Sequence, residues 1–181
     1  MSQKPNQSAW TWVPSLYFAQ GLPYIIVITV STIIYKNLGL SNAQITFYTG
    51  WLYFPWVIKP FWSPFVDNLR TKRFWIVGTQ LLMGALIASA GLRLPGPDFV
   101  RWSLIAFWLI AFSSSTHDIA ADGFYMLALS DHQQSFFVGI RNTFWRIAAI
   151  SGQGGLVYLS GLLIRQNLTA QKAWMFLLLA T

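Results

Sequence analysis

No residue between Lys4 and Lys36 carries a charge, and further apolar runs follow at intervals along the chain. Runs of this length admit few folds. A helix satisfies its own backbone hydrogen bonds and crosses a bilayer core in about 20 residues. A barrel strand needs only about ten residues of alternating polarity, so strands do not fit. Composition agrees, since only 9% of the 181 residues are charged. Soluble domains carry roughly a quarter, and so few charges could not cover a soluble surface. The chain reads as an all-α, polytopic membrane helix bundle.

The apolar runs predict one transmembrane bundle over residues 1–181. Spans are expected at about 12–35, 45–66, 74–92, 102–130 and 136–164, with 173–181 too short to cross and therefore an incomplete sixth. Pro55, Lys59, Pro60 and Pro64 interrupt the latter half of the second. The first run is too long, and its leading segment too weakly basic, for a secretory signal peptide. Polar turns are expected at 37–42, 67–73, 93–101, 131–134 and 165–172. Trp10, Trp12, Trp75 and Trp102 fall at span starts, as in an aromatic belt.

The net charge of +7 comes from a shortage of acids, 5 against 12 Lys and Arg. It points to loops on anionic headgroups and to an anionic solute rather than to nucleic acid. With no cysteine, neither a disulfide framework nor a thiolate metal site is available. An N-terminus inside would place Lys4, Arg70, Lys72, Arg73 and Arg141 on the cytoplasmic side. Lys36, Arg93, Arg101, Arg165 and Lys172 would then lie outside, a tie broken only by the dense loop after the second span.

Ionisable groups at bilayer depth mark functional sites by default. The fourth span holds His117, Asp118 and Asp122, and the two acids, four residues apart, share a helix face. Two such carboxylates in a low dielectric cannot both ionise cheaply, which suits a proton carrier. If spans four and five form a hairpin turning near His132, Asp118 is level with Arg146, and Asp122 with Arg141. A solute carboxylate or phosphate could compete for such an arginine, and a purely structural ion pair is the alternative. In the first span Tyr17, Gln20, Gly21, Tyr24 and Ser31 form a polar stripe that either lines a cavity or packs a helix through Gly21. Gly152, Gly154 and Gly155, with Gly84, suggest close helix approach. Lys59 either snorkels or enters the site, and Asp67 with Arg70 and Arg73 reads as a salt-bridge cluster or a solvated loop.

Three stretches together are similar to one family. Tyr17-Phe18-Ala19-Gln20-Gly21-Leu22-Pro23-Tyr24 resembles the first-helix signature of the muropeptide permeases, the AmpG-type branch of the major facilitator superfamily. Lys59-Pro60-Phe61-Trp62-Ser63-Pro64-Phe65-Val66-Asp67 resembles that family's second-helix end, and Thr116-His117-Asp118-Ile119-Ala120-Ala121-Asp122 its fourth-helix motif. Arg146 falls where the family carries a fifth-helix arginine. His117 stands in place of the usual amide, and Ser63 and Arg70 where glycines are common. The resemblance implies most of the N-terminal half of a twelve-helix transporter, with its N-terminus in the cytoplasm of a bacterial inner membrane. It also implies proton-coupled uptake of an anhydromuropeptide or a related solute.

From residues and resemblance together, Asp118, Asp122 and His117 are expected in proton coupling. Tyr17, Gln20, Tyr24 and Arg146 are expected to bind solute, and Lys59, Asp67, Arg70 and Arg73 to gate. The expected partners are a small solute, protons, the bilayer and the missing C-terminal half of the same polypeptide. No catalytic residue, metal or cofactor is expected. Two other classes stay open: an intramembrane hydrolase or metalloenzyme using His117, Asp118 and Asp122, and a membrane scaffold that transports nothing.

Overall fold

The computed structural model describes residues 8–181, so Lys4 lies outside the described residues. Among the described residues four helices are long and apolar enough to cross a membrane: α1 (Ala9–Asn37), α5 (Lys72–Arg93), α6 (Phe99–Ala128) and α7 (Asp131–Arg165). Shorter helices are α2 (Asn42–Thr49), α3 (Phe54–Ile58), α4 (Ser63–Asn68) and α8 (Ala170–Leu179). The protein is an all-α membrane helix bundle.

Helix starts follow side-chain chemistry. Ser41 with Gln44 and Ser130 with Gln133 form capping boxes, while Thr71 and Thr169 accept from the third helical amide. The Ser130 box corrects one expectation: residues 131–134 are the first turn of α7, and only Leu129 and Ser130 separate it from α6. The Gln134 side-chain amide donates to the Met126 and Leu129 carbonyls at 3.1 and 2.9 Å, occupying acceptors that the end of α6 leaves free.

The segment expected as a second span is not one continuous helix. Its break begins at Gly50, before any proline, and each proline then starts a new short element. Pro55 sits in the first turn of α3, Pro60 in a 3-10 turn (Lys59–Phe61), and Pro64 in the first turn of α4. Proline lacks the donor an interior turn requires but is tolerated at a helix start.

The core gathers around α1. Ile26, Val27, Val30 and Ile34 are fully buried with Phe107, Ile110 and Ala111 of α6 and Trp174 of α8. α5 and α6 pack along their lengths, and α7 packs on α1 through a narrow face. Gly21 makes that last contact possible. A Cβ there would lie 3.0 Å from both the Trp145 carbonyl oxygen and Ala148 Cβ. Gly152 is likewise approached by Ile25, whereas Gly84, Gly154 and Gly155 face open space. Close packing therefore accounts for one of those four glycines.

Candidate functional site

α1 and α6 run antiparallel, and their polar faces meet in two layers one helical turn apart. In the first layer the Tyr17 hydroxyl donates to Asp122 Oδ1 at 3.0 Å, and Arg141 Nη2 of α7 approaches the same oxygen at 3.3 Å. The Arg141 guanidinium also lies over the rings of Tyr17 and Tyr125, 4.6 and 5.1 Å from their centroids. In the second layer Gln20 Nε2 donates to Asp118 Oδ1 at 2.5 Å, while Lys59 Nζ stands 3.6 Å from Oδ2. Each carboxylate thus has its own cation and its own neutral donor. At about 1.5 Å rise per residue the two layers are roughly 6 Å apart.

This arrangement follows from spacing. Residues three apart on α1 (Tyr17, Gln20) and four apart on α6 (Asp118, Asp122) each lie on one face, so an antiparallel pair brings them together twice. Lys59 enters because the broken segment turns it inward at the 3-10 turn, where its side chain keeps 36% exposure against 16% for Asp118. Asp122 and Arg141, expected at one level along the hairpin, are paired. Asp118 and Arg146, likewise expected level, are not. Lys59 takes that carboxylate, while Arg146 points from the exposed side of α7 and joins none of the ion pairs. Depth along a hairpin sets level but not rotation, and five residues turn Arg146 about 140° from Arg141.

The stripe on α1 is used differently from a cavity lining. Tyr17 and Gln20 are 2% and 7% exposed; the Tyr17 hydroxyl and Gln20 Nε2 go to the carboxylates, while Gln20 Oε1 is buried without a hydrogen-bond partner. Tyr24, one turn further, instead meets Trp56 edge-on at 5.0 Å and Trp145 at 5.6 Å, with Tyr53 stacked beyond Trp56. His117 is fully buried on the face that also carries Ala120 and Ala121, and neither ring nitrogen has a hydrogen-bond partner. No hydrogen bond joins it to either acid. Among the described residues no three His, Cys, Asp or Glu side chains converge as metal ligands would.

At the end of the bundle near Asp67 the expected cluster has a different cation. Asp67 pairs with Lys72, which also donates to the Val66 carbonyl at 3.3 Å. Arg70 and Arg73 lie instead over Phe74 and Phe124, 5.8 and 5.5 Å from the ring centroids. The Lys72 stem crosses α6 at Gly123, where an added Cβ would stand 2.9 Å from Cε. Sequence reasoning missed Lys72 because a link across a loop leaves no periodic signal. The only trace is the glycine beside Asp122.

A groove of about 680 Å³ lies elsewhere, between α1 and α5, where Phe18, Leu22, Met83 and Ile87 help to line it. Its walls are mostly apolar, with Ser15, Arg73 and Gln80 among them. The paired charges, not this groove, are the chemically distinctive feature.

A family model described as the BT1 family matches residues 20–181. The chain belongs to the BT1 family. It is 27% identical over 157 residues to the "Anhydromuropeptide permease" of Escherichia coli strain K12, which covers 80% of this chain and 30% of that protein. It is 24% identical over 153 residues to "Putative transporter AmpG 4" of Rickettsia conorii, covering 80% of this chain and 36% of the relative. An uncharacterized protein of Haemophilus influenzae is 29% identical over 150 residues, with 80% and 35% covered. The chain therefore spans about a third of the length of the curated relatives it matches. No solved structure matches it. Two of these relatives are named as a permease and a putative transporter.

Proposed function

We propose that this BT1-family chain is most of the N-terminal half of a twelve-helix, proton-coupled secondary transporter that takes up a polar anionic solute such as an anhydromuropeptide. The supporting observation is the double layer: two carboxylates inside the bundle, each held by one cation and one neutral donor. Protonating Asp118 removes its charge and releases Lys59. Protonating Asp122 does the same for Arg141. A released cation, in a site where both charges had been balanced, attracts the anionic group of a solute. Charge balance then links proton and solute without a cofactor, and the protein acts as a carrier rather than an enzyme. Arg146, on the exposed side of α7, adds a further cation where the missing half would complete the cavity. Lys72 and Asp67 serve as a clasp at the cytoplasmic end, with the N-terminus on the same side of a bacterial inner membrane.

Uptake of labelled anhydromuropeptide into proteoliposomes holding the full-length polypeptide, driven by an inward proton gradient, tests the proposal. Concentrative uptake that Asp118→Asn and Asp122→Asn together abolish supports it. Unchanged gradient-driven uptake in the double variant refutes the coupling. A hydrolase built on His117, Asp118 and Asp122 has less support, because no hydrogen bond connects the imidazole to either acid.

A further inference from the structure

α1 and α7 run parallel, and both leave α-helical hydrogen bonding at the same level. The π-helical stretch of α1 is Ile26–Val30, and that of α7 is Ser151–Leu156. Gly21 faces Trp145 and Ala148, and Gly152 faces Leu22 and Ile25, which fixes the register of the pair. Carried forward, that register sets the two π stretches side by side, and they are in contact. π turns within α-helices are rare and recur at functional sites.

Local chemistry accounts for each. Pro23 has no N–H, so the turn before the first stretch is short of one bond, and the Ile26 amide is shared between the Leu22 and Pro23 carbonyls. The Ser31 amide then reaches back five residues to Ile26. Hydroxyls occupy the neighbouring acceptors, Ser31 Oγ donating to the Val27 carbonyl and Thr32 Oγ1 to the Thr29 carbonyl at 2.6 Å. Such back-bonding bends helices and lets them bend without stranding a carbonyl. The second stretch contains Gly154 and Gly155, where an added Cβ would meet nothing within 4 Å. Packing does not require those glycines, and what they contribute is backbone freedom.

We propose that the two π stretches form one hinge, about which the outer segments Ser31–Asn37 and Val157–Arg165 swing together against the halves that carry the ion pairs. The outer part of α1 is tied to α6 by the Tyr35 and Ser103 hydroxyls at 2.8 Å, and since the unbroken α6 also carries Asp118 and Asp122, the swing must exchange that contact. The hinge lies just beyond Tyr24 and Trp145, and its motion opens or closes the space next to that ring cluster. The inference stands on helix geometry and does not depend on the transport reading.

Hydrogen exchange of this chain in lipid nanodiscs, read over 26–30 and 151–157, tests it. Both stretches exchange faster than the turns on either side. Gly154→Ala with Gly155→Ala slows exchange roughly tenfold in 151–157 through the lost glycine entropy. A shared hinge requires clear slowing in 26–30 as well. Slowing confined to 151–157, or none in either stretch, overturns the proposal. Pro23→Ala returns an amide to α1 and reads the same coupling in reverse, should the glycine variant fold poorly. Because the chain has no cysteine, paired spin labels give a second readout. Labels at Lys36 and Arg165 keep a narrow mutual distance, whereas either against Ser135 gives a broad distribution that the glycine variant narrows. A broad Lys36–Arg165 distribution refutes joint motion.

Discussion

Replacing Lys59 by methionine probes the ion-pair layers at their least expected member. Lys59 Nζ and Asp118 Oδ2 stand 3.6 Å apart, with side-chain exposures of 36% and 16%. At that separation and an effective dielectric of about 20, the gross attraction is roughly 4–5 kcal/mol, most of it offset by lost hydration. Removing one partner of a fully buried pair costs about 3–5 kcal/mol, and a fully exposed pair is worth about 0–1 kcal/mol. A pair with one partner a third exposed falls between, so Lys59→Met should destabilise by roughly 2 kcal/mol. Methionine keeps most of the stem's packing, so the loss reports charge rather than volume. Asp118→Asn should cost less, since asparagine still accepts from Gln20. The double variant should then recover part of the sum, giving a coupling of about 1–2 kcal/mol. Reversible unfolding in mixed detergent and dodecyl sulfate, followed by circular dichroism across the four-protein cycle, measures it. Additivity within about 0.5 kcal/mol would refute the pairing and return Lys59 to the membrane interface.

Tyr17→Phe should cost only about 1 kcal/mol, the scale of one interhelical hydrogen bond in a membrane, and less than Arg141→Met, which leaves Asp122 without its cation; the same unfolding assay ranks them. Gly123→Val should destabilise by about 1–3 kcal/mol by driving a side chain into Lys72, and Lys72→Ala in the same chain should relieve much of that loss, seen as a partial recovery of Tm. Gly21→Leu should separate α1 from α7 and lower the cross-linking yield between labels placed on the two helices' exposed flanks, while the Gly154→Leu control, with open space around it, leaves their spacing unchanged.

The membrane-bundle class was legible in the sequence because burial in lipid forbids charge and forces internal hydrogen bonding over long runs. Such a constraint acts on every residue of a span, so Phe74 to Leu92 shows it without any knowledge of neighbours. Periodicity also put Asp118 and Asp122 on one face, and hairpin arithmetic put Asp122 level with Arg141, because helix rise is constant. Rotation is another matter. Whether Asp118 meets Arg146 or Lys59 depends on which sides of three helices face inward, and packing sets that through contacts such as Gly21 against Ala148. The use of Tyr17 and Gln20 to hold carboxylates, the crossing of Lys72 over Gly123, and the side-by-side π stretches are likewise relations between helices. The sequence by itself determined that these few polar groups lie within the bundle, since composition and helix period are local properties of one chain segment. Only the tertiary structure decided which group meets which, because an ångström-scale contact depends on the relative rotation and register of separate helices, and no single segment encodes either.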